Sequence, residues 1–336
     1  QLEAVDERRA TAQWSDRGIP QLVSYDVVVP ADADKFPRLP EQLAENPPGL
    51  LQALADAFDT TDPDSVRYAL GCVQCRGARG ELVATDGRQL LVQSGFQFPW
   101  DENLLLCRTK LFDCPELPQD QPVLVGKADK RVVLQVGPWR FWLPTNTDGQ
   151  FPDVTHHIPQ AEAATARCQL SAADAGFLAQ SLPRLPGDDE LNWPATIDLN
   201  GAIAIRAKSA GQAKPTELVL SNSTWSGEPV RLNTNRRYLA RAVKLGFREL
   251  LFFGPKAPAS CQGDSRRFVW ALLDPESCLA PADDAIRIES PGGANSHPVP
   301  PSPPRRRVPA VNESNTTPNG NGHASPRGTV PANGHA

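Results

Sequence analysis

The feature that most constrains this chain is its punctuation: short apolar runs are cut off again and again by tight turn signals, and long amphipathic stretches are few. Residues 66–74 (VRYALGCVQ), Glu81–Thr85, Gln89–Gln93, Pro122–Gly126 and Arg131–Val136 each read as a strand, being short and β-rich. Arg76–Gly80, Asp86-Gly87 and Lys127–Lys130 separate them, and dipeptides such as Asp-Gly between apolar runs signal hairpins. Residues Ala10–Val28 read as two further strands around Gly18.

Helical spacing is found in few places. Pro47–Phe58 repeats Leu50, Leu51, Leu54 and Phe58 on one face behind an N-terminal proline. After the strand end Cys168–Leu170, Ser171 is placed to cap a helix over Ala172–Leu182. Strands follow at Ala195–Leu199, Ala202–Ala207, Glu217–Ser221 and Val230–Leu232. A helix spans Asn235–Leu245, stopped by Gly246, and strands Glu249–Phe253 and Arg267–Leu273 close the series. Two successive stretches thus run helix, several strands, short helix, several strands; the repetition lies in element order, not residue identity.

The 336 residues suit about two or three domains. A net charge of −5 argues against a simple basic coat on nucleic acid, which needs clustered Lys and Arg. It leaves room for an acidic exterior with a basic lining. No apolar run reaches membrane-span length and no signal peptide is visible, so a cytoplasmic protein is expected. Seven cysteines in mostly apolar, strand-like segments fit buried thiols of a reducing compartment better than a disulfide frame. The chain starts at Gln1 and contains no Met, which reads as processing or as a piece of a longer product. From 281 to 336 the sequence turns to Pro, Asn, Gly and Ser around Arg305–Arg307. That composition cannot bury enough surface to offset ordering, so a disordered tail is expected. The arginines there read as incidental charge on a solubilising tail or as a contact to DNA or an acidic partner. Asn312 and Asn315 head glycosylation sequons that mean nothing without secretion.

Catalytic chemistry finds little support. Cys72-Val-Gln-Cys75 lacks a second ligand pair, and residues three apart on a strand point to opposite faces. His156-His157 are adjacent and do not converge on one ion in extended chain. Asp86 reads as a turn residue. No nucleophile elbow, P-loop or dinucleotide fingerprint occurs. No metal, no cofactor and no enzymatic activity are expected.

Several segments resemble the bacterial sliding clamps, the DNA polymerase III beta subunits. Val83-Ala-Thr-Asp-Gly-Arg-Gln-Leu90 resembles a motif of their middle domain. Gln150–Pro159 (QFPDVTHHIP) looks like that domain's closing segment, and Asp64–Gly71 like the turn before its first long strand. Asn235–Leu245 is similar to the last helix of their third domain, and Arg267–Leu273 to their final strand. The resemblance runs from about Phe36 to Leu273. It implies an α+β DNA-clamp fold of repeated domains, each with two helices packed on antiparallel sheets and joined in a ring. On that reading 1–40 is the end of a first clamp domain or an N-terminal extension, 41–160 the middle domain, 161–280 the C-terminal domain and 281–336 the tail. Phe36-Pro37 resembles the linker between first and middle domains.

Two sites follow from the resemblance. Duplex DNA, held without base readout, would meet Arg67, Tyr68, Arg108, Lys110, Arg236, Arg237, Arg241 and Lys244. Arg108 and Lys110 would lie in a short helix, and the last four mostly on one side of Asn235–Leu245. A pocket for short linear motifs of polymerases and the clamp loader would use Leu70, Thr85, Gly87, Arg88, Gln89 and Leu90. Pro152, His156 and His157 would form a wall, and Ala271, Leu272 and Leu273 would close it. The sequence departs from the family here. Ala271–Pro275 stands where relatives place two methionines around a proline, Gln89 where they carry a basic residue, and His156-His157 where they carry Arg-Val. A stiffer, smaller pocket with different motif preference is expected. Self-association would make a ring, dimeric for three domains and trimeric for two. The alternative is a clamp-fold adaptor that binds peptides without encircling DNA.

Overall fold

The computed structural model describes residues 1–26, 39–65 and 69–292. Phe36-Pro37, Arg67, Tyr68, Arg305–Arg307, Asn312 and Asn315 lie outside the described residues. The N-terminal segment forms a three-stranded antiparallel sheet of β1 (Leu2–Asp6), β2 (Arg9–Asp16) and β3 (Ile19–Asp26). Gly18 (φ +84°) turns the chain between the last two, as the turn signal requires.

The first repeat comprises β4 (Leu43–Asn46), α1 (Gly49–Phe58), β5 (Cys72–Arg76), β6 (Glu81–Thr85), β7 (Gln89–Ser94) and β8 (Asn103–Cys107). It continues with β9 (Val123–Ala128), β10 (Arg131–Val136) and β11 (Trp139–Pro144). The second comprises β12 (Ala166–Gln169), α2 (Ala172–Ser181), β13 (Pro194–Asn200), β14 (Ala202–Ala207), β15 (Thr216–Val219) and β16 (Thr224–Gly227). There follow β17 (Val230–Asn235), α3 (Arg236–Lys244), β18 (Glu249–Phe252), β19 (Ala259–Gln262) and β20 (Arg266–Trp270). A last strand, β21 (Ile286–Glu289), comes after both.

Each repeat folds into two sheets in the same order. The first has β11-β10-β9-β4 and β7-β6-β5-β8; the second has β20-β19-β18-β12, with β16 beyond it, and β15-β14-β13-β17. Alternate residues of both sheets meet inside, as period-two strands dictate. Leu50, Leu54, Phe58, Val73, Leu82 and Leu134 pack in the first core; Leu178, Ile197, Ile205, Leu239, Phe252 and Phe268 pack in the second. One sheet runs through both repeats, because β20 pairs antiparallel with β7, from Arg266 opposite Gln93 to Trp270 opposite Gln89.

Four expectations need correction. Of the strand placed at 66–74, only the part from Cys72 is a strand among the described residues; Asp62 N–H donates to Leu70 O and Cys72 N–H to Ala69 O, so the chain is turned at 69–72. Among its described residues the first repeat has no second α-helix. Leu111–Asp113 is a single 3-10 turn, since the prolines at 115, 118 and 122 stop a helix from propagating. Helix α1 starts at Gly49 after Pro48, with no side-chain cap. The segment expected to be wholly disordered contains β21, which pairs with β15 in parallel, Glu217 opposite Arg287. Ser171, by contrast, caps α2 as expected, accepting from Asp174 N–H at 3.0 Å.

Candidate functional site

The site grows from the Asp86-Gly87 turn. Gly87 sits at φ +88°, a conformation that suits glycine. The Thr85 hydroxyl donates to Gln89 O (2.6 Å) and accepts from Gly87 N–H (3.0 Å). The Asp86 carboxylate accepts from the Arg88 and Gln89 amides at 2.7 and 2.8 Å and from Gln89 Nε2 at 2.9 Å. Asp86 is therefore a turn-builder, its oxygens spent on local donors. The Tyr238 hydroxyl donates to Asp86 Oδ2 at 3.5 Å and ties α3 to the turn. Burial, reinforced by the Asp86 charge, pushes the Tyr238 phenol up to about 12.

Beside this turn the β20–β7 junction brings the end of the second repeat onto the first. Ala271 N–H donates to Arg88 O at 2.8 Å. The connector between the repeats covers the outer face of the sheet, where Val83, Leu90, Val154 and Val269 are buried together with Val92, Phe151 and Ile158 packed on them. Between connector, turn and junction opens a cleft of about 390 Å³, floored by Leu90, Val154 and Val269. Arg88, Asp153, His157 and Lys256 stand around it. An apolar floor with a few charged groups at its margin suits one or two apolar side chains of a ligand whose backbone stays near the rim.

Of the pocket residues expected from the sequence, Thr85, Gly87, Arg88, Gln89, Leu90, Pro152, His157, Ala271 and Leu272 line this cleft. Leu70 is at its margin: its Cδ1 lies 3.8 Å from where a Cβ on Gly87 would stand. His156 and Leu273 do not line it. His156 points to solvent, where its Nε2 lies 3.3 Å from Asp153 Oδ2, and Leu273 N–H is drawn to Asn233 O on β17. Sequence reasoning missed Asp153, Val154, Lys256, Pro258, Val269 and Trp270. Lys256 and Pro258 belong to the β18–β19 loop, whose approach to the cleft carries no local signal.

The basic residues fare differently. Arg236 is 1% exposed. Its Nη1 donates to Pro186 O at 2.7 Å, and its guanidinium lies over the Trp193 ring at 4.9 Å. It is a core residue, which corrects its placement on a DNA-facing surface; α3 turns it inward because it is the first helical residue, directly behind the capping Asn235. Arg241 is half-committed as well: its Nη2 donates to Asp56 O (2.7 Å) and Thr60 Oγ1 (2.9 Å), fastening α3 to α1. Arg237 and Lys244 are exposed, Arg237 stacking at 4.1 Å on the same Trp193 ring. Arg108 and Lys110 lie between β8 and the 3-10 turn, not in a helix. Among the described residues no three His, Cys, Asp or Glu side chains gather as metal ligands, and no helix is long and apolar enough to cross a membrane.

No protein-family model matches the sequence, and no curated protein matches it in sequence. Solved structures match in fold. A DNA polymerase sliding clamp from Pseudomonas aeruginosa superposes with a TM-score of 0.61 at 18% identity, over 81% of this chain and 76% of that one. The DNA polymerase III subunit beta of Borrelia burgdorferi gives 0.63 at 12% identity over 80% and 74%. A putative DNA polymerase III beta subunit from Eubacterium rectale gives 0.61 at 11% over 81% and 76%. With two sheets per repeat in one order, and a sheet shared across the junction, the chain has the DNA-clamp fold of the bacterial DNA polymerase III beta subunits.

Proposed function

We propose that the chain is a sliding clamp: a non-enzymatic ring component that encircles duplex DNA and recruits a polymerase and other replication proteins through short linear motifs bound in the cleft at the junction of the repeats. The observation that carries this reading is the cleft itself. Nine of the twelve residues assigned to a peptide pocket from the sequence line one apolar depression where β20 joins β7. A peptide would bury apolar side chains against Leu90 and Val269 and set an acidic group near Arg88 or Lys256. Arg237, Lys244 and Lys110 are exposed and available to phosphates; their small number suits a ring that holds DNA by topology more than by charge.

The test has two parts. A fluorescently labelled polymerase-derived peptide titrated into the protein should bind, and Val269→Asp should abolish binding. Retention on closed circular DNA should be lost when the circle is cut. A protein that binds peptide but is not retained on circles even when its copies associate would be the adaptor of the alternative reading. The narrower cleft expected from Ala271–Leu273 predicts weaker binding of a peptide optimised for another clamp; tight binding would remove that expectation.

A further inference from the structure

The two repeats can be aligned strand by strand, and the alignment exposes a difference at their edges. After each repeat's last strand the chain bridges to the neighbouring sheet: Thr145 pairs with Leu106 in the first and Leu272 with Thr234 in the second. Following the ladders outward from those bridges, Val73 corresponds to Ala195, Leu82 to Ile205 and Val92 to Glu217. Strand β7 therefore corresponds to β15, and β11 to β20. The outer edge of β7 is where β20 joins, with Arg267 opposite Val92. The same edge of β15 is taken by β21, with Arg287 opposite Glu217. The outer edge of β11, the counterpart of β20, carries no strand among the described residues.

We propose that the β15 edge is a docking edge for β11 of a second copy of this chain, and that β21 is a displaceable cap upon it. The inference rests on the reading that copies of the chain close a ring. Charge chooses β11. Arg140 precedes Thr145 by the same five residues by which Arg267 precedes Leu272, so β11 docked as β20 docks on β7 sets Arg140 opposite Glu217. That is the place Arg287 now fills, its Nε 2.9 Å from Glu217 Oε1. The shared Arg-Phe pair, Arg140-Phe141 and Arg267-Phe268, keeps an arginine outward and a phenylalanine inward in both strands.

The cap is lightly held. All four residues of β21 are exposed. Its ladder runs from Ile286 N–H on Pro215 O to Ser290 N–H on Val219 O, both at 2.9 Å, and an incoming strand would replace those bonds in kind. Its firmest anchor lies beyond it, where Ser221 N–H donates to the Ser290 hydroxyl (3.0 Å) and Asn222 Nδ2 to Pro291 O (2.9 Å).

Light scattering on the full chain over a concentration series tests this, with hydrogen exchange at 286–289 as the readout of the cap. The wild type should keep single-chain mass with those amides protected. Ile288→Pro, which removes a ladder donor, should unprotect them and give at least a tenfold gain in self-association. Arg287→Glu, which sets two carboxylates face to face, is the second variant and should do the same. Adding Arg140→Glu to either should return the mass to one chain. The proposal is overturned if the uncapped variants stay single chains with native circular dichroism, if the wild type associates while 286–289 stay protected, or if Arg140→Glu leaves the association unchanged. An uncapped assembly that forms but is not retained on circular DNA would overturn the clamp reading and leave the cap standing.

Discussion

The outer faces of two equivalent sheets solve the same problem in opposite ways. In the first repeat the face of β5–β7 is apolar at Val83, Leu90 and Val92, and the connector lays Phe151, Val154 and Ile158 on it. In the second repeat the matching face is a row of alternating charge across five strands. Arg231 Nε reaches Asp198 Oδ2 at 3.0 Å, Arg206 reaches Asp198 at 2.6 Å and Glu217 at 2.5 Å, and Arg287 closes on Glu217. Arg206, Asp198 and Glu217 are each 5% exposed or less. The segment after β20 crosses this face, with Leu279 N–H on Thr196 Oγ1 at 2.8 Å, and ends as β21. An apolar face yields a cleft floor able to take a ligand; a charged face pairs its charges across its own strands, out to β21 at its edge.

The comparison can be broken first at Arg206. Arg206→Met leaves two buried carboxylates without their shared cation and should cost the second repeat about 3–5 kcal/mol in denaturant unfolding; a loss under ~1 kcal/mol would mean the row contributes little. On the apolar side, Leu90→Ala should cost about 2–5 kcal/mol and weaken peptide binding together, since Leu90 is both packing and floor. Loss of stability without loss of binding would separate cleft from cluster.

A smaller effect concerns α2, whose capped start contrasts with uncapped α1. Ser171→Ala should cost about 1 kcal/mol, with no comparable site on α1. A further contrast is pH. Burial pushes Asp174 up, but donation from Asn222 and Ser223 outweighs it and holds the carboxyl below its ordinary value. A folded pKa below the unfolded one gives stability that is present above about pH 4 and lost as pH falls through the folded value. Acid titration of the wild type should show that loss, and Asp174→Asn should flatten it. The smallest effect is expected at the cleft rim. His156→Ala should change stability by less than about 0.5 kcal/mol and leave peptide binding alone, whereas His157→Ala should weaken binding.

Much of this architecture was legible because its signals are local. Arg131–Val136 and Ala202–Ala207 begin and end as their alternation and flanking turns dictate. The Asp86-Gly87 turn and the Ser171 cap follow from residues within three positions of each other. The short edge strands β4, β16 and β21, and the burial of Arg236, were not legible, because partners far along the chain create them. An arginine on a helix reads the same whether its guanidinium meets water or Pro186 O and an indole ring.

The sequence by itself determined many of the strands, the turns between them and which face of each is apolar, since those follow from period-two alternation and the conformational limits of Gly, Pro and Asp. Only the tertiary structure decided which edges meet. Backbone donors and acceptors are alike on every strand, so the pairing of β20 with β7, the cleft beside it and the seat of β21 on β15 depend on which strands the two cores bring within reach.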